Sequence, residues 1–281
     1  MFYLLNNLIQ MKILFNNRTL LKTLRPFNDI GFVPTMGGIH EGHISLIKKS
    51  IKQSKKTIVS IFINPKQFNN KNDLKSYPSN IKNDLKILKK IHKIDYIYVP
   101  KVKDIFTNKN KQKIKINKDD KILCAKFRKG HFEGVLDVMD KLTNLINPKK
   151  IFMGKKDYQQ LFLVKKFIEK RYNTKVIGCK TIRNKNKLAL SSRNFLFDKN
   201  DLNKVENISK KFLNLKKKVK KQRNINEFLG QTKKKFEKTL KIKIDYLENR
   251  NAKNLKISNK YKGSKIFLSY YFKSVRLIDN F

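Results

Sequence analysis

The sequence predicts an α/β protein, with a parallel β-sheet flanked by helices in its N-terminal part and a smaller α+β domain after it. Three observations predict this. Apolar strand-like runs alternate with amphipathic helical segments from residue 30 to residue 177, those runs are apolar on both faces, and beyond Arg183 the order changes to charged helices followed by β-rich runs. Alternation of the first kind is closed by right-handed crossovers into a parallel sheet with helices on both faces. A chain of 281 residues can bury two cores, and the expected domains are 1–183 and 184–281, with the break near Asn184–Lys187.

The first strand is the run Ile30-Gly31-Phe32-Val33-Pro34, followed by a glycine-containing loop and a helix with Ile44, Ile47 and Ile51 on one face. Thr57–Ile63 reads as a strand buried on both sides. The segment with Ile81, Leu85 and Leu88 reads as a returning helix, and Tyr96–Val99 as the next strand. Lys109–Lys118 is polar enough to be an exposed loop. A helix with Val135, Val138, Leu142 and Leu145, a strand at Ile151–Met153, a helix with Leu161, Val164 and Ile168, and a strand at Lys175–Ile177 complete the alternation. In the second part, helices are expected over Leu202–Lys221 and Ile225–Leu240, and strands over Ile242–Leu247, Lys265–Phe272 and Val275–Ile278.

Lys and Arg number 67 against 21 Asp and Glu, for a formal charge of +46. Such a field holds polyanions without any specific site, so nucleic acid is a partner to weigh. The charge is spread over ordinary surface helix positions such as Lys48, Lys49, Lys89 and Lys90, not gathered in a stripe beside aromatics. That pattern fits compositional drift toward Lys and Asn, and no specific nucleic-acid partner is expected. Cys124 and Cys179 lack metal-ligand spacing and read as packing residues in a reducing, cytoplasmic compartment. Met1–Phe15 is interrupted by Asn6, Asn7 and Gln10 and has neither the basic start nor the small-residue cleavage site of a signal peptide. It is also shorter than the roughly 20 residues a membrane span needs. Met11 is a candidate start, which would make residues 1–10 a frayed extension.

In open parallel sheets, ligands bind beyond the carboxyl ends of the strands, so the loops after strands carry the chemistry. The first such loop is Met36-Gly37-Gly38-Ile39-His40-Glu41-Gly42-His43. Its glycines let backbone N–H groups approach a ligand, and the helix that follows offers unpaired donors to phosphate. His40 and His43 can then face one polyphosphate. The H-x-G-H string resembles the signature of class I nucleotidyltransferases and aminoacyl-tRNA synthetases. Two histidines can also hold zinc, but no third His or Cys lies nearby in sequence.

After the second buried strand comes Asn64-Pro65-Lys66-Gln67-Phe68, whose amides could hold hydroxyls or a carboxylate, or simply end the strand in a turn. The loop Gly154-Lys155-Lys156-Asp157-Tyr158-Gln159-Gln160 offers a lysine for an α-phosphate, a carboxylate for ribose or Mg²⁺, and Gln160 for an acid substrate. Leu190-Ser191-Ser192-Arg193 places two hydroxyls and a guanidinium where a segment could fold over a triphosphate.

Taken in order with Arg128–Gly134 and Arg276-Leu277-Ile278-Asp279-Asn280, these motifs resemble the pantothenate synthetase (pantoate:β-alanine ligase) family over nearly the whole chain after about residue 20. The resemblance implies a Rossmann-like catalytic domain with a smaller C-terminal domain closing over the site. It implies ATP contacts from Met36–His43, Gly154–Asp157, Ile182 through its backbone, and Leu190–Arg193. His43 falls at the proton-donor position, with His40, Lys156 and Arg193 beside the phosphates. Gln67 and Gln160 match pantoate contacts, and Gln67 also lies where β-alanine would approach. Asn64, Arg128 and, less directly, Asp84 match further polar positions. ATP with Mg²⁺, pantoate and β-alanine are the implied substrates, and a homodimer through the N-terminal domain the implied assembly. Three positions depart from the family: Lys155 replaces Glu, Lys129 replaces Pro before Gly-His-Phe, and Ser79 replaces Arg after Tyr-Pro. Lys155 is expected to change the charge beside the nucleotide.

Two rival readings differ in class. A tRNA synthetase would share H-x-G-H and suit a basic surface, but Ser191-Ser192-Arg193 stands in place of its Lys-rich loop and the chain is short for an anticodon-binding module. A nucleic-acid-binding protein that had lost activity would not need His40, His43, Lys156 and Arg193 together.

Overall fold

The structure is a computed structural model, and it describes residues 11–106 and 114–281. The expectation for residues 1–10, and that for the first half of the Lys109–Lys118 loop, lie outside the described residues. In chain order the elements are β1 (Lys12–Leu14), α1 (Asn17–Leu24), β2 (Ile30–Thr35), α2 (Glu41–Gln53), β3 (Lys56–Ile61), α3 (Lys71–Lys75), α4 (Ile81–Lys89), β4 (Tyr96–Tyr98) and α5 (Val102–Ile105). There follow α6 (Cys124–Phe127), α7 (His131–Ile146), β5 (Lys150–Gly154), α8 (Tyr158–Arg171) and β6 (Lys175–Cys179). The remaining elements are α9 (Lys199–Val219), α10 (Ile225–Leu240), β7 (Lys243–Asn251), β8 (Ser264–Phe272) and β9 (Val275–Asn280).

The first six strands form one parallel sheet in the order β1-β4-β3-β2-β5-β6, with Phe32 opposite Ile58 on one side and Ile151 on the other. Strand residues alternate between two cores, as the period of two requires. Phe32, Ile58, Tyr96 and Ile151 join α1, α7 and α8, whereas Val33, Val59, Ile97 and Phe152 join α2 and α4. The chain runs outward from β2 through β3 to β4 and then returns to β5 on the opposite side of β2. Between β2 and β5 lies the topological switch point, where the loops leaving the two strands separate into a crevice.

The last three strands form an antiparallel sheet, β7-β8-β9. Helix α9 buries Val205, Ile208, Phe212, Leu215 and Val219, spaced at three and four residues, so one stripe packs on this sheet while the lysines face outward. The α/β class with a smaller α+β part is therefore as the sequence predicts. The segment Asn184–Lys187 forms a turn closed by the bridge between Arg183 and Ala189.

Some boundaries differ. Strand β1 and helix α1 are absent from the sequence reading, because three residues at a sheet edge leave no periodicity to detect. Strand β3 ends at Ile61, not Ile63, as the chain turns toward Asn64. Helix α9 begins one turn earlier than Leu202, because the Asp198 side chain accepts from the Asp201 N–H at 2.8 Å and caps it.

Candidate active site

The turn after β2 is built by its glycines and by a carboxylate from α4. Gly38 has φ +61°, and a Cβ there would come within 2.4 Å of the Pro78 carbonyl oxygen. Asp84 is 1% exposed and accepts from the backbone N–H groups of Gly38 at 2.9 Å and Ile39 at 2.8 Å. Ser192 donates from Oγ to the Gly38 carbonyl at 2.9 Å, which ties the turn to the segment beyond residue 184.

His40 caps α2, its Nδ1 accepting from the Gly42 N–H at 3.0 Å. A Cβ at Gly42 would lie 2.6 Å from the His40 ring, so a larger residue there would displace the imidazole. This hydrogen bond fixes the tautomer: Nδ1 is unprotonated, so the proton of neutral His40 sits on Nε2. The His43 ring lies 4.1 Å from that of His40, centroid to centroid, and its Nδ1 is buried without a partner among the described residues. Burial, then the charge of Lys156, lowers the pKa of His40 from 6.5 to about 4. Burial, then His40 and Lys156, lowers that of His43 to about 3. Both rings are neutral donors at pH 7 until an anion arrives.

Across the switch point, the turn Lys155–Asp157 leaves β5. Lys156 is close enough to the histidines for its charge to act on both, and among the described residues its ammonium pairs with Asp157 at 3.4 Å. The backbone of this turn is held from the second sheet, where Asn280 donates from Nδ2 to the carbonyls of Lys155 and Lys156, both at 2.8 Å. In α8, Gln159 and Gln160 both line the cavity, but the Gln159 amide is engaged, accepting from the Cys124 N–H at 3.0 Å and donating to the Ile122 carbonyl at 2.8 Å.

The third wall comes from Asn64–Gln67 and the start of α7. Both amide hydrogens of Asn64 are taken, by the Gly134 carbonyl at 2.9 Å and by Gln67 Oε1 at 3.1 Å. His131 Nδ1 lies 2.7 Å from the Gln67 carbonyl, and its Nε2 lies 3.0 Å from Arg128 Nη1. An arginine can only donate, so Nε2 accepts, Nδ1–H donates, and His131 is neutral. Burial, then Arg128, lowers its pKa to about 3. Arg128 Nη2 is 3.9 Å from Asp73, and Arg193 grips the same carboxylate through Nη2 at 2.7 and 2.8 Å.

These walls enclose one cavity of about 950 Å³. It brings together Met36, His40, Gly42, His43, Asn64, Gln67, Arg128, Gly154, Lys156, Asp157, Gln160, Ile182, Leu190, Ser191, Ser192 and Arg193. Gly37, Gly38, Ile39, Glu41, Lys155 and Asp84 do not line it. Ile39 is core, Glu41 is exposed, and Asp84 lies behind the glycine turn. Lys155 is exposed, with its stem over Gly178, so the expected charge change beside a nucleotide is not placed inside the cavity. The Ile182 carbonyl is occupied by the Leu190 N–H at 2.9 Å. Sequence reasoning missed Asp73, Tyr77, His131 and Arg276, all of which line the cavity. His131 lies inside Arg128–Gly134 and Arg276 opens the last motif, which was the available signal; Asp73 and Tyr77 stand on or beside α3, a helix too short to show a pattern.

A parallel sheet whose switch point carries a glycine turn, a capped helix and a lysine lining the cavity has the layout of an α/β enzyme that handles a nucleotide polyphosphate. The pantoate-beta-alanine ligase family model matches residues 11–281. The chain is 37% identical over 278 residues to a pantothenate synthetase of Flavobacterium psychrophilum, covering 95% of this chain and 98% of that one. It is 38% identical over 262 residues to that of Francisella tularensis subsp. novicida, covering 90% and 88%. Among solved structures, the pantoate-beta-alanine ligase of Francisella tularensis, complexed with beta-gamma ATP and β-alanine, superposes with a TM-score of 0.82 at 36% identity, covering 96% of this chain and 97% of that one. The pantothenate synthetase of Thermus thermophilus superposes with a TM-score of 0.89 at 27% identity, covering 96% and 99%. This chain belongs to the pantoate-β-alanine ligase family.

Proposed function

We propose that the protein is a pantoate:β-alanine ligase, condensing pantoate with β-alanine at the expense of ATP in pantothenate biosynthesis. The observation that supports it most is the convergence of His40, His43 and Lys156 at the switch point, inside a cavity large enough for a nucleotide and an acid together.

A carboxylate oxygen of pantoate attacks the α-phosphorus and pyrophosphate leaves, forming an acyl-adenylate. The amine of β-alanine then attacks the acyl carbon, gives up a proton, and expels AMP. His40 and Lys156 meet the charge that develops on the phosphates, and His43 supplies a proton or hydrogen bond beside them. Ser191, Ser192 and Arg193 close over the triphosphate, with Asp157 near the ribose. Gln67 and Gln160 hold pantoate, and Asn64 acts through Gln67, since its own amide hydrogens are engaged. Asp84 acts through the Gly38 turn. Mg²⁺ enters with the nucleotide; among the described residues no cluster of three His, Cys, Asp or Glu is placed to hold an ion.

The same reading divides the chain into a catalytic domain, 1–183, and a smaller one, 184–281, that closes over the site. It carries the family expectation of a homodimer in the cytoplasm; light scattering tests the dimer. Both cysteines are free and buried, and no described helix is long and apolar enough to cross a membrane. The chemical route is tested with pantoate labelled with ¹⁸O in its carboxylate. Transfer of one label to the phosphate of AMP supports the adenylate, and unlabelled AMP refutes it.

A further inference from the structure

Arg276, on β9, has a side chain only 10% exposed, yet it lines the cavity. Its Nε donates to Asp245 at 2.8 Å and its Nη1 to the Cys124 sulfur at 3.4 Å, while Nη2 is buried with no partner among the described residues. An unpaired buried guanidinium N–H is costly unless a ligand meets it. Arg128 lines the same corner: burial first, and then the neighbouring charges of Arg193 and Arg276, lower its pKa. Arg193 donates to the Arg276 carbonyl at 3.4 Å and holds Asp73.

In this corner, the three guanidiniums of Arg128, Arg193 and Arg276 face two carboxylates. Asp73 is gripped by Arg193, Asp245 by Arg276, and His131 is neutral, so one positive charge, nearest Arg128, stays uncompensated. One unmatched charge beside one unmatched fork of donors fits a single carboxylate.

Building on the ligase reading, we infer that Arg276, with Arg128, binds the carboxylate of β-alanine and is a specificity-determining residue for the amine substrate. The carboxylate of pantoate is consumed at the α-phosphorus, beside Lys156 and the histidines, so it cannot also occupy the arginine corner. The carboxylate that survives the reaction is that of β-alanine. Anchoring it here leaves its amine, three bonds away, free to point toward the adenylate. A neutral amine lacks this anchor.

The test uses R276Q, R276K and the double variant R276Q/D245N, which avoids stranding a buried carboxylate. Michaelis constants for ATP, pantoate and β-alanine are compared with those of the wild type, and β-alaninamide is tried as an alternative acceptor. Pantoate-dependent exchange of pyrophosphate into ATP, which needs no amine, reports whether the adenylation site is intact. Loss of a charge-assisted pair predicts that the β-alanine constant rises about tenfold to a hundredfold more than the other two. The preference for β-alanine over β-alaninamide then falls by a similar factor. A selective rise in the ATP constant would assign Arg276 to the phosphates, and an equal rise in all three would make it a strut between the sheets; either overturns the inference. Absence of pyrophosphate exchange in the wild type would instead remove the ligase reading, and this inference with it.

Discussion

Asn280 on β9 donates a hydrogen bond from its side chain to the backbone carbonyl of Lys156 at 2.8 Å, so the antiparallel sheet sets the height of the lysine at the switch point of the parallel one. Asn280 is 4% exposed, and Arg183 and Asp279 beside it form a paired contact at 2.6 and 2.7 Å. Asn280→Ala leaves two carbonyls of the Lys155–Asp157 turn unsatisfied. The expected result is a loss of about 1–3 kcal/mol in stability, together with adenylation slowed more than any change in the Michaelis constant for β-alanine. Thermal unfolding and pyrophosphate release measure the two effects.

Gly38→Ala tests the glycine turn. The residue has φ +61° and no room toward the Pro78 carbonyl, so the turn must shift away from Asp84 and Ser192. ATP binding should weaken at least tenfold while α2 still folds. Calorimetric titration with a non-hydrolysable ATP analogue checks the first point, and circular dichroism the second. Asp84→Asn should act in the same direction, because an amide N–H would face the N–H of Gly38 or Ile39.

His43→Ala and Lys156→Ala should fold normally and lose about two to three decades of adenylation rate, the usual effect of removing one donor from a charge-stabilising site. Wild-type pyrophosphate release from either purified variant would take that residue out of the mechanism.

The histidines also set a pH dependence. His40, His43 and His131 all have pKa values lowered from 6.5, to about 4, 3 and 3. As pH falls below 6.5 toward these values, the unfolded chain binds protons that the folded one does not, so stability falls with pH. Their contribution is complete above pH 6.5. Each group contributes at most about 1.4 kcal/mol per pH unit in that window. Denaturant unfolding at pH 7 and pH 5 should show the loss, and His131→Phe should make it shallower. The same shifts predict no inflection near pH 6.5 in kcat/KM for adenylation, which reports the free enzyme.

The order of strands and helices was legible because each buried strand is a continuous apolar run and each helix carries a three-four stripe, as Ile44, Ile47 and Ile51 do on α2. What escaped the sequence was short or long-range. Strand β1 is recognisable only by its partner, Tyr96–Tyr98. For the site, position after a strand found the loops but not the direction of each side chain. Gln159 and Gln160 are adjacent letters and both line the cavity, yet the Gln159 amide is already engaged by the Cys124 N–H and the Ile122 carbonyl, which the letters do not show. Asp84 has the chemistry of a site residue, but its two backbone partners lie 46 and 45 positions away in sequence. The pairing of Asp73 with Arg193 spans 120 positions and needs both sheets in place.

Ligase activity itself is read most simply from AMP formation by purified protein with Mg-ATP, pantoate and β-alanine, leaving out each in turn. AMP should accumulate in repeated turnovers only when all three are present, with pantothenate formed in equal amount. Steady AMP production that ignores the omission of pantoate, or no turnover with all three present, would contradict the assignment.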